Sequence, residues 1–168
     1  MKIVFYSMIA AVLMITACQP KTETLSVDAV AEKDSIAKNL DMMYSAYTSK
    51  DAEAFLSLVA DDCYFCGTDS KEFWDLAAYT TILNEMFADT AFQAPTFTVD
   101  KREIRVDKDG KSAIAVDQFF FAGWSDRIPL RNVTHHVKVD NKWLCNFSSM
   151  SFVPNNEDLT KIFTSVTE

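Results

Sequence analysis

The most regular pattern of apolar and polar positions in this chain lies between Ser112 and Pro154. Along Arg131–Val139, the residues Val133, His135, Val137 and Val139 fall on one face, and Thr134, His136 and Lys138 on the other. A period of two residues is that of a half-buried strand. Asp140-Asn141-Lys142 supplies turn residues, and Trp143-Leu144-Cys145-Asn146-Phe147 opens a return strand. Upstream, Ala113–Ala122 holds Ile114, Val116 and three consecutive phenylalanines, too apolar for either face to stand in water. Three long antiparallel strands are expected here. The turn Asp107-Lys108-Asp109-Gly110 joins them to a more polar, edge-like strand at Phe97–Val106.

Before these strands the period changes. Ile36, Leu40, Met43 and Tyr47 form the stripe of an amphipathic helix. Asp51 can cap a short second helix that buries Phe55, Leu58 and Val59. Cys63-Tyr64-Phe65-Cys66 reads as a brief strand ended by Gly67. Asp69-Ser70-Lys71-Glu72 has the form of a capping box, which predicts a helix carrying Phe73, Leu76, Thr80, Leu83 and Phe87. A connector over Ala88–Pro95 leads to the strands, and Asn155–Asp158 caps a last helix with Leu159, Ile162, Phe163 and Val166. Helices come early and sheet late, an α+β order.

The first residues follow a different logic. Met1-Lys2 is a short positive start and Ile3–Met14 an apolar run, too short to span a bilayer and suited to a secretory signal. Ile15-Thr16-Ala17-Cys18 then resembles the bacterial lipobox, in which small residues precede a cysteine that is lipidated and becomes the first mature residue. This divides the chain into a signal peptide at 1–17, a lipidated Cys18 with its tether at 18–27, and a folded domain at 28–168. Gln19 after the cysteine resembles the signal for the outer membrane of a Gram-negative bacterium, so the expected address is the cell envelope. Orientation toward periplasm or surface stays open.

Composition narrows the class. The chain has 168 residues, 49% hydrophobic, enough for one domain with its own core. Its net charge of -8, with no basic cluster, disfavours nucleic acid as a partner.

With the element order in hand, several segments resemble a known superfamily. Tyr47-Thr48-Ser49-Lys50-Asp51-Ala52-Glu53-Ala54-Phe55, followed by Val59-Ala60-Asp61-Asp62, is similar to the opening of the nuclear transport factor two-like superfamily. Gly67-Thr68-Asp69-Ser70-Lys71-Glu72-Phe73-Trp74 resembles a Gly-Thr-Asp…Glu-x-Trp segment of its SnoaL-like branch. Arg131-x-Val133-Thr134, Trp143 and Ser151 resemble that branch's closing hairpin. The likeness covers Asp28 to Pro154. It implies a cystatin-like α+β roll: a cone-shaped, curved antiparallel sheet with N-terminal helices closing a pocket. It also implies frequent homodimers and a function that varies among members. Where many relatives carry histidine two residues before the final serine, this chain has Ser149, so an acid–base role at that position does not carry over.

Candidate chemistry falls on the strands. Asp117 shares a face with Phe119 and Phe121, and His135 lies on the apolar face of its own strand. A carboxylate in apolar surroundings has its pKa raised and could exchange a proton with a nearby imidazole. The resemblance makes a dehydratase or isomerase built on Asp117 and His135 admissible. Against it stands a hydrogen-bonded core histidine, with Asp117 paired to Arg131 or Arg127. His136 is expected to face solvent. Trp74, Tyr79, Phe119, Phe121 and Trp124 are candidates to line a pocket for a small apolar ligand, oriented by Asp117, Arg131, His135 and Ser149. The same rings could instead fill the core. Cys63-x-x-Cys66 matches neither a helix-start redox pair nor a zinc pattern, so no metal or cofactor is expected. A disulfide from Cys63 or Cys66 to Cys145 is expected in an oxidising compartment. Three functions stand open: a module binding a small apolar molecule or an envelope protein, an Asp/His enzyme, and a structural dimer joined through its open sheet face.

Overall fold

The computed structural model describes residues 28–123 and 127–167. The signal, Cys18 and the tether, together with Trp124, lie outside the described residues.

Helix α1 (Ala29–Thr48) starts where the Asp28 carboxylate accepts from the N–H groups of Val30 and Ala31, and it buries Ile36, Leu40, Met43, Tyr44 and Ala46. Helix α2 (Ala52–Leu56) is capped by Asp51, as its sequence predicts, and buries Phe55. Strand β1 (Val59–Cys66) is twice the length of the expected run.

The segment after Gly67 differs from expectation. Glu72 Oε2 does accept from the Asp69 N–H at 2.9 Å, the reach-back of a capping box. That bond closes a turn rather than a helix. Phe73–Asp75 forms a short strand, β2, paired with Tyr64–Cys66. Helix α3 (Leu76–Ala88) is capped instead by Asp75, whose carboxylate accepts from Ala78 N–H. The competing cap at Asp75 and the open edge of β1 together claim the intervening residues.

Strands β3 (Phe97–Val106), β4 (Ser112–Phe121), β5 (Leu130–Val139) and β6 (Lys142–Phe152) make the main sheet, and α4 (Asn156–Thr167) closes the chain. Sheet order is β2-β1-β6-β5-β4-β3, with β3 on the edge. All pairings are antiparallel except β1 with β6. Asp140 and Asn141 both take positive φ, 48° and 63°, which gives a two-residue turn the hand that matches strand twist. The sheet is curved, and α1, α2 and α3 pack on its concave side. One core cluster joins Ile36 and Leu40 of α1 to Ala113, Ala115, Phe119, Leu130 and Trp143. A second joins Met43 and Ala46 to Phe55, Phe65, Leu83, Cys63 and Cys145.

Two features of the sheet correct the strand-face assignment. Leu130, Asn132, Thr134 and His136 are the buried residues of β5. The polar face therefore turns inward, and the valine face, His135 included, turns to the convex side. A β-bulge then shifts register between His135 and His136: His135 pairs with Phe147 and His136 with Cys145, leaving Asn146 as the extra residue. Simple alternation from Trp143 and Cys145 would turn Ser149 inward. After the bulge Ser148 and Met150 face the concave side instead.

Cys63, Cys66 and Cys145 are free thiols. Cys63 and Cys145 are both buried, and their side chains lie in contact; a hydrogen bond to Cys145, and then burial, push the Cys63 thiol upward.

Candidate functional site

The concave side holds a cavity of about 360 Å³, within the range of small-molecule sites. Helix α1 contributes Met43, Tyr44 and Tyr47; α2 contributes Phe55; β1 and β2 contribute Phe65, Cys66 and Trp74; α3 contributes Tyr79, Ile82 and Met86. Phe92, Pro95, Phe97 and Phe121 complete the apolar wall, while Asn132, Ser148 and Met150 form the far side. Gly67, Thr68, Glu72 and Gln93 border it as well, and of these Thr68 and Gln93 are exposed and mark the mouth.

The rings interlock at aromatic contact distances. Phe65 and Tyr79 stack at 3.8 Å, Trp74 lies 5.9 Å from Tyr79, and Tyr47 meets Phe97 edge-on at 5.8 Å. Burial first, and the Glu72 charge second, push the Tyr47 phenol up to about 12. Tyr79 is raised chiefly by burial. Both phenols therefore stay neutral at physiological pH.

The polar far side carries a chain of hydrogen bonds. Ser148 Oγ donates to Asn132 Oδ1 at 2.9 Å, and Tyr44 Oη donates to Asp117 Oδ2 at 2.8 Å. Arg102 grips Asp117 with two donors, Nε to Oδ1 and Nη2 to Oδ2, each at 2.8 Å. Its Nη1 reaches Asp41 Oδ1, also at 2.8 Å. Burial opposes the Arg102 charge, but Asp117 and Asp41 more than offset it and hold the guanidinium well above its ordinary value. Burial, with the Asp117 charge and bond behind it, likewise keeps Tyr44 protonated. Every oxygen of Asp117 is committed, and the carboxylate is only 1% exposed.

The histidines stand apart from that chain. His135 Nδ1 meets Asn146 Oδ1 at 2.6 Å on the convex side. His136 is fully buried, with Nε2 2.9 Å from Thr134 Oγ1 and Nδ1 without a partner. Burial, then the neighbouring His135, lowers its pKa to about 4, so the ring is neutral. It does not line the cavity.

This arrangement of three helices closing a six-stranded curved sheet over an aromatic cavity agrees with the profile of the SnoaL-like domain, which matches residues 36–155. The chain belongs to that family. Solved structures with the same fold include an NTF2-like protein of unknown function from Pseudomonas putida, 15% identical, covering 73% of this chain and 86% of its own, with a TM-score of 0.62. An uncharacterised protein with a cystatin-like fold from Caulobacter vibrioides is 16% identical, covers 78% and 95%, and has a TM-score of 0.63. A protein of unknown function with a cystatin-like fold from Nostoc punctiforme is 14% identical, covers 73% and 92%, and has a TM-score of 0.60. At such identities they speak for the fold. No curated protein matches the chain.

In this SnoaL-like domain the sequence-derived candidates separate. Trp74, Tyr79 and Phe121 line the cavity. Phe119 is fully buried in the α1 core cluster beside it, behind Tyr44 and Phe97. Arg131 lies on the exposed face, donating to Gln118 Oε1 at 3.0 Å, and Ser149 pairs with Val133 on that same convex side. Asp117 and His135 are on opposite faces and do not meet. The partner of Asp117 is Arg102, not Arg131 or Arg127, because the β3–β4 register sets Arg102 directly opposite Asp117. The sequence did carry a signal for it, since Arg102, Ile104 and Val106 share one face of an otherwise polar strand. Tyr44, Asn132 and Ser148 went unmarked because strand parity alone places the last two wrongly.

Proposed function

We propose that this SnoaL-like protein is an envelope-anchored binding module that encloses a small apolar molecule in its cone. The observation that carries the reading is the cavity: aromatic and methionine side chains surround a volume fit for a ligand, while its polar side is satisfied internally. An acid–base mechanism on Asp117 and His135 draws no support from this geometry, since one carboxylate is fully bonded and the imidazole lies across the sheet. Support for the anchor is the charged start, the apolar run and the small residues before Cys18.

Native mass spectrometry of protein purified from its host is the test of binding. A bound mass is expected that is lost on Trp74→Ala, and repeated empty spectra from folded protein would remove the reading. For the anchor, Cys18→Ala should move the protein from membrane to soluble fractions; unchanged membrane association would defeat it.

One observation favours a second role. The convex face presents Ile114 and Val139, 48% and 46% exposed, beside Val116, Val133 and Val137. A second copy of the chain set against this face would cover them. Light scattering should then give twice the monomer mass, and Ile114→Lys should return the monomer with little change in melting temperature. A monomer before the substitution refutes the dimer.

A further inference from the structure

Resting on the binding reading above, we infer that the cavity selects an organic cation: an amine or quaternary ammonium carried on an apolar or aromatic body. Among the described residues lining the cavity, Glu72 alone is charged. Its position is fixed. Oε2 accepts the Asp69 N–H at 2.9 Å, while Gly67 N–H donates to the Glu72 carbonyl at 3.0 Å and draws the two backbones together. A methyl group at Gly67 would stand 2.1 Å from Glu72 Oε2, so only glycine leaves the carboxylate where it is. Among the described residues Oε1 accepts no hydrogen bond, which leaves its lone pairs for an incoming donor.

The surroundings agree in sign. Aromatic faces carry negative quadrupole potential and attract cations, and Tyr47, Trp74 and Tyr79 share the wall with Glu72. The Glu72 charge is felt by both Tyr47 and Tyr79, which puts the carboxylate in electrostatic reach of the ring cluster. No lysine or arginine is among the described residues lining the cavity, and two cations outside its wall are engaged. Arg102 is held between Asp117 and Asp41, and Lys50 lies over the Phe92 ring at 5.2 Å and donates to the Asp89 carbonyl. An anionic ligand such as a fatty carboxylate would meet one negative charge and, among the described lining residues, no positive one.

A matched trio of probes tests this: 2-naphthylmethylammonium, 2-naphthylmethanol and 2-naphthoate, titrated calorimetrically into the full mature protein and into Glu72→Gln. Glutamine keeps the bond to Asp69 N–H and removes only the charge. The expected result is that the ammonium binds about tenfold more tightly than the alcohol, with naphthoate weakest, and that Glu72→Gln brings ammonium and alcohol level without weakening the alcohol. Equal binding of ammonium and alcohol, or a preference that survives Glu72→Gln and so belongs to the overall charge, overturns the selection and leaves the binding reading in place. Failure of all three probes sinks both.

Discussion

His136 is the residue whose surroundings make the plainest demand on the fold. It is fully buried, its Nδ1 lacks a partner, and its pKa is lowered to about 4 from 6.5. The unfolded chain takes up a proton near 6.5, whereas the folded chain resists until about 4. Stability is therefore greatest above the unfolded value, falls as pH drops through that window, and levels off below it. The whole loss from this group amounts to about 3 kcal/mol. Urea melts at several pH values should show the fall, and His136→Gln should remove it; parallel curves for the two proteins would contradict the account. Asp117 makes the opposite demand, for charge. Asp117→Asn leaves Arg102 with the exposed Asp41 as its one carboxylate, and breaking such a buried pair costs about 3 kcal/mol. A melting temperature lower by roughly 10 °C is expected, and pairing it with Arg102→Met should restore part of that.

At the scale of elements, the bulge at Asn146 decides what the cavity is made of. Its one extra residue sends Ser148 and Met150 inward and Ser149 outward. Deleting Asn146 should remove the extra residue and restore plain alternation with Phe147 still opposite His135 and Ser148 still inward against Asn132, while His135 loses its Asn146 partner. The variant should keep both ligand retention and cooperative melting. Loss of both would mean that the bend of the bulge, and not the residue count, shapes the cavity. The same bulge explains what sequence patterning can and cannot deliver. The stripe of α1, the Asp51 cap, the limits of β3 and the turn at Asp140-Asn141 follow from local chemistry, and the structure keeps them. The inward face of β5 does not follow, because its valines lie on the convex side while Asn132, Thr134 and His136 are buried in hydrogen-bonded positions. Hydrophobicity identifies a strand here but misassigns its inside. The Asp69–Glu72 turn shows the related limit that one cap motif serves a helix or a turn according to what the next residues can pair with.

For the molecule as a whole, charge and shape are distributed so that the apolar surfaces do separate things. The concave one wraps a chamber, and the convex one bears Ile114 and Val139 to the outside. At the end of α1 away from Tyr47, Lys138 and Trp143 Nε1 both donate to Glu32 and hold its carboxyl below the usual range. This bolts the first helix to the last two strands.

The parallel pairing of β1 with β6 has a consequence in time. Val59 hydrogen-bonds alongside Cys145, so the strand that carries Phe65 waits for a neighbour more than eighty positions further along the chain. A nascent polypeptide that has yet to emit Lys142–Phe152 can form α1 and the β3–β4 hairpin, but its vessel has a missing stave. The hollow comes into being only once Lys142–Phe152 has emerged, and until then the chain stays open to whatever machinery handles it.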